Sequence, residues 1–237
     1  MSTAAPPDGE PVLMPWRAAR LLDGPHRLCF FWAGLSWALA AMWWAAHLLA
    51  TALLGSSWPW RVPSAWAHGL WFSLGAMPLF IAGFMLTAGP KWLRRPPVAV
   101  RSLRLPVGLF LLGWVLAVLG FHLQLAIAAA GLCLVTLGWC GLTWRIVQLV
   151  VGSAQADRRH AWLVVCACTT IAVCLGSASV VLAFDRPDLL QPLTRVALWG
   201  GVAMVFVVVS HRMLPFLGEG GWPALDARWP DWPLWLV

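Results

Sequence analysis

Charge is scarce in this chain and tyrosine is missing: of 237 residues, 11% are Asp, Glu, Lys or Arg, and none is Tyr. A soluble domain carries about a quarter charged residues, so a water-facing surface of ordinary composition is excluded. The nine acidic residues, from Asp8 to Asp231, all lie outside the long apolar runs. That argues against the intramembrane carboxylate relays common in proton-coupled pumps. There is no Gly-rich phosphate loop, no Ser/His/Asp arrangement, no paired carboxylate for acid–base work and no CxxC spacing. No residue is therefore assigned a catalytic role.

What the chain does have is hydrocarbon: 61% hydrophobic residues and a mean hydropathy of +0.77. Six apolar stretches, near 28–54, 65–89, 105–124, 125–147, 161–184 and 193–217, meet the roughly 20 residues a bilayer requires. In hydrocarbon no water satisfies open backbone groups, so the spans are helices. The fold class expected is all-α, a polytopic transmembrane bundle of about six spans. The third and fourth runs touch, so "FHLQLAIAAAG" must hold a very tight turn.

All sixteen Lys and Arg fall at or beyond the span ends. Arg17, Arg20, Arg27, Lys91, Arg94, Arg95, Arg101, Arg104, Arg145, Arg158, Arg159, Arg212 and Arg228 share one side, leaving Arg61, Arg186 and Arg195 for the other. The positive-inside rule places both termini in the cytoplasm. The net charge of +7 is thus topology, and no nucleic-acid-binding motif accompanies it. Residues 1–27 read as a Pro-rich cytoplasmic leader, 28–217 as the six-span domain, and 218–237 as a Gly/Pro/Trp-rich tail, cytoplasmic or the approach to a seventh span.

Nineteen Trp suit an interfacial belt, which Trp58, Trp60, Trp66, Trp92, Trp144 and Trp162 fit by position. Trp43, Trp44, Trp114 and Trp139 lie deeper and could pack helices or wall a cofactor pocket. The six cysteines are Cys29, Cys133, Cys140, Cys166, Cys168 and Cys174. All fall within spans and read as buried apolar filler, with Cys166 and Cys168 on different faces, roughly 200° apart. Met77 and Met85 offer soft sulfur but are expected to pack in the core.

Histidine is the remaining chemistry. His26 and His160 stand among cytoplasmic arginines and are expected to be solvated. By the ~1.5 Å rise per residue, His47 lies about 10 Å inside the outer end of span one, and His68 and His122 within about 5 Å of the outer ends of spans two and three. These three form one layer near the outer face; His211 lies low in span six on the cytoplasmic side. Intramembrane ionisable groups are functional candidates, and imidazole is a common metal and haem ligand. Neutral imidazoles can equally hydrogen-bond across helices.

The segment "WAHGLWFSLGAMPLFIAGFMLTAGPKWLRR", residues 66–95, resembles the signature region of the NnrS family, with Gly83, Phe84, Leu86, Thr87, Ala88, Pro90 and Trp92 matching its GF-x-L-T-A-x-P-x-W ending. "SHRMLPF" at 210–216 is similar to a second family segment, and the likeness runs from "PWRAARLL" at 15–22 to Phe216. The resemblance implies a bacterial inner-membrane protein holding haem and copper and acting in the response to nitric oxide. It points to His47, His68 and His122 as metal or haem ligands. It also allows His211 as a ligand of a haem on the cytoplasmic side, with Arg212 or Lys91 pairing a propionate. Where many members carry His-x-His-Glu, this chain reads Trp66, Ala67, His68, Gly69. It resembles the N-terminal half of a longer family architecture, so a second membrane polypeptide is one expected partner. The alternative is a cofactor-free membrane subunit or transporter-like bundle whose histidines are structural.

Overall fold

A computed structural model describes residues 21–55 and 58–217. The leader up to residue 20 and the tail from 218 lie outside the described residues. Among the described residues the secondary structure is helical, and six segments are long and apolar enough to cross a membrane. The elements are α1 (Pro25–Leu54), α2 (Ser64–Leu74), α3 (Met77–Trp92), α4 (Arg101–His122), α5 (Leu125–Val151), α6 (Arg159–Ala183), α7 (Leu190–Ala197) and α8 (Met204–Leu217). The six spans expected from hydropathy are these, with α2–α3 and α7–α8 each making one.

Local sequence explains the boundaries. Pro25 starts α1, where its missing N–H costs nothing, and Gly55 ends it at φ 58°, a left-handed cap open to glycine. Only Leu123 and Gln124 join α4 to α5, the tight turn anticipated for that stretch. Their close packing comes from small residues. A Cβ added at Gly113 would sit 2.5 Å from the Val135 amide nitrogen, and one at Gly138 would sit 2.5 Å from that of Phe110. Gly120 and Gly131 make equally close approaches to Ala128 and Ala117. Hydrocarbon cannot drive apolar helices together, so backbone proximity at such residues is what holds them.

Three expectations are corrected. The second span is broken at Gly75–Ala76 rather than continuous: Pro78 has no N–H to give the Leu74 carbonyl, and its ring crowds that group. The helix runs on past residue 89, where the apolar run ends; α3 carries Pro90 inside it and ends after Trp92, where Arg94 turns the chain at φ 48°. The sixth span begins at Pro187 and passes through a π-helical turn, Leu198–Ala203, between α7 and α8. That turn lets Gly201 lie against Ile171 and the Ala167 carbonyl on α6.

The cysteines also divide. Cys29, Cys168 and Cys174 are buried, whereas Cys133, Cys140 and Cys166 are exposed on the lipid-facing surface. The filler reading holds for the first three alone. Cys166 and Cys168 do face opposite ways. α1 is the outermost span, with 11% of its apolar window buried against 67% for α2–α3. Trp139 and Trp114 pack between helices, and the Trp139 indole donates to the Cys168 carbonyl at 2.9 Å.

Candidate cofactor site

At the outer end of the bundle, α1, α2 and the last residue of α4 meet beneath the segment that links α1 to α2. Trp43 and Trp44 sit one turn before His47 on α1, so their rings lie over the same patch. Trp58 and Trp60 come from the linking segment and close the cluster from outside. His47 touches three indoles: Trp60 at 4.9 Å between ring centroids, Trp44 at 5.3 Å and Trp58 at 5.8 Å. His68 stacks on Trp44 at 4.5 Å and 11° and touches Phe72 one turn along α2. His122 packs on Trp60 at 4.3 Å. The layer expected from helical depth is therefore one continuous aromatic–histidine cluster.

Within it the three imidazoles are not equivalent. The Trp43 indole N–H donates to His122 Nε2 at 3.1 Å, which makes that nitrogen the unprotonated one. Nδ1 then carries the hydrogen and donates to the Pro59 carbonyl at 2.9 Å. Both nitrogens of His122 are thus committed: Nε2 ties the end of α4 to α1, and Nδ1 ties it to the linking segment. His47 Nδ1 and His68 Nδ1 are buried with no hydrogen-bond partner in the protein, and so is the Trp60 indole nitrogen. Leaving a buried donor or acceptor unpaired costs about 1–3 kcal/mol. Three in one cluster mark a place where a further group is expected. Among the described residues, no three His, Cys, Asp or Glu side chains converge on one ion. The three histidines share a cluster but do not form a three-ligand metal site.

The cytoplasmic end is built differently. His160, at the start of α6, and His211, on α8, are buried against each other, Nε2 to Nδ1 at 3.1 Å. His160 is therefore not solvated as expected. α8 folds back along α6 and covers it, a pairing across 51 residues that no local pattern announces. His26 is half-buried and lies 3.4 Å from the Thr87 hydroxyl. Arg212 spreads its guanidinium over Trp92, 4.9 Å from the ring centroid, while Lys91 is exposed. His211 turns toward α6 and Arg212 toward α3, so these two and Lys91 do not gather around one point. Nearby, the Arg159 side chain bonded to Asp157 holds that carboxyl below the usual range.

The family model described as NnrS protein matches residues 20–237. No curated protein and no solved structure matches the chain. With a match over nearly its whole length, on a six-span helical membrane protein, the chain belongs to the NnrS family.

Proposed function

We propose that this protein is a haem-binding, multi-pass protein of the bacterial inner membrane that serves in the response to nitric oxide, with His47 and His68 as the ligands. The observation that carries the reading is the pair of buried Nδ1 atoms on these two residues, each without a protein partner, inside a box of indoles. Two imidazoles from different helices, with no thiolate or carboxylate beside them, would hold a haem through its iron, for which imidazole is a common ligand. They suit a closed structural zinc site poorly, since that needs four ligands. Copper is the second candidate, because imidazole also serves that metal.

A haem supplies an iron that binds diatomic gases or passes single electrons. The remaining roles belong to the chain. Trp44, in contact with both ligand histidines, would have to yield its place as the group enters. Trp58 and Trp60 would then shield it from water at the outer face. Trp60 would offer its indole N–H, which is buried and has no partner in the protein. His122 would hold the α1–α2 linking segment shut over the site and would not ligate. His211, Arg212 and Lys91 fit this role less well, because His211 is bonded to His160.

The test is the visible spectrum of protein purified in detergent, oxidised, dithionite-reduced and exposed to nitric oxide, with iron and copper measured on the same sample. A Soret band that shifts on reduction and again with nitric oxide supports the proposal. Clean protein with neither metal nor Soret band overturns it and leaves a bundle with structural histidines.

A further inference from the structure

An apolar crevice of about 370 Å³ opens between α1, α3 and α8, lined by Phe30, Trp37, Phe80, Phe84 and Val209 among others. Its size falls within the roughly 300–1,000 Å³ of small-molecule sites. It exists because α1 packs on α3 and α8 packs on α6, which leaves α1 and α8 separated over the face of α3.

The walls are hydrocarbon, but the cytoplasmic end is not. Arg212 follows Val209 by three residues and Val205 by seven, so it continues the crevice face of α8 one turn lower. Its guanidinium lies on Trp92, whose ring meets Phe84 of the crevice wall at 5.5 Å. Its Nε is buried without a hydrogen bond. On α3, Thr87 and Lys91 extend the face of Phe80 and Phe84 toward the same end. On α1, His26 stands one turn below Phe30 and meets Thr87. The mouth thus carries cations and hydrogen-bond donors, and the carboxylate that acts on Arg212, that of Asp157, is itself bonded to Arg159. It sits at the membrane face that charge distribution assigns to the cytoplasm. Basic pockets between helices on that side suit anionic headgroups.

We propose that this crevice is a binding site for an anionic phospholipid of the cytoplasmic leaflet. One acyl chain lies along Phe30, Phe80, Phe84 and Val209, and the phosphate is held by Arg212. The site is separate from the aromatic–histidine cluster at the other membrane face and does not depend on what that cluster binds.

The test is native mass spectrometry of the full chain, released from vesicles of equimolar phosphatidylglycerol and phosphatidylcholine. Phosphatidylglycerol adducts should exceed phosphatidylcholine adducts, and Arg212→Gln should lower that ratio about fivefold, the contribution of one basic side chain at an anionic surface. Arg212→Lys should retain most of it. Val209→Trp, which fills the crevice, should reduce both adducts. Equal retention of the two lipids overturns the proposal. So does a preference that Arg212→Gln leaves unchanged, or a haem adduct that phosphatidylglycerol displaces.

Discussion

The two membrane faces of this protein each hold a histidine cluster, and the two spend their nitrogens differently. At the cytoplasmic face His160 Nε2 and His211 Nδ1 bond each other at 3.1 Å. His160 Nδ1 stays buried without a partner, but the ring is already engaged, and the pair works as an interhelical clasp between α6 and α8. At the outer face His47 and His68 lie within reach of the same Trp44 ring, yet each keeps a buried Nδ1 without a partner. The outer cluster contains its own control, because His122 has both nitrogens engaged. The lesson is that membrane depth identifies a candidate histidine but not its role. What separates a ligand from a clasp is whether a neighbouring group has already bonded the ring, as His211 does for His160 and Trp43 and Pro59 do for His122.

The comparison can be broken at the frame both clusters share. Gly120→Leu pushes a side chain into the Ala128 backbone and should cost upwards of about 3 kcal/mol, beyond ordinary overpacking, because backbone must move. Folded yield on size exclusion should collapse, and both clusters should be lost together.

Next in size is the clasp itself. His211→Ala leaves His160 buried with no nitrogen paired and should destabilise by about 2 kcal/mol. The double variant His160→Leu, His211→Leu should be closer to wild type than either single one, because both polar partners go together. Thermal unfolding in detergent measures all three.

How much of this is written in the sequence depends on range. The six spans and the two-residue turn at Leu123–Gln124 are legible, because they follow from hydrocarbon thickness and from run length alone. The layer of His47, His68 and His122 is legible too, since a fixed rise per residue sets depth. The break at Gly75 was within reach: Pro78 four residues after Leu74 is a sufficient signal, hidden by the unbroken apolar run around it. His160 was misjudged because its partner lies on another span. The commitment of His122 depends on the Trp43 indole and the Pro59 carbonyl, whose placement only the docking of α1 and the folded linking segment decides. The crevice likewise arises from how α1 and α8 dock, which no single run of sequence encodes.

Smaller effects sharpen the contrast inside the outer cluster. His122→Ala removes one hydrogen bond that ties α1 to α4, from Trp43, and one that ties the linking segment to α4, at Pro59, and should cost about 1 kcal/mol, near the value of interhelical bonds in membranes. Its signature is faster proteolysis between α1 and α2. Trp60→Phe deletes an indole N–H that has no partner; relief of an unpaired-donor cost of about 1–3 kcal/mol offsets the lost ring volume, so cofactor-free protein should be no less stable than wild type. In the same variant, cofactor retention during purification should fall.

The most direct test sets the two clusters side by side. Soret absorbance per mole of protein would be measured for His47→Ala, His68→Ala, His160→Ala and His211→Ala, purified identically. The account predicts that the first two lose the band, while the latter two keep it in whatever fraction remains folded. A band that survives His47→Ala and His68→Ala but disappears with His160→Ala or His211→Ala would contradict it and move the cofactor to the cytoplasmic face.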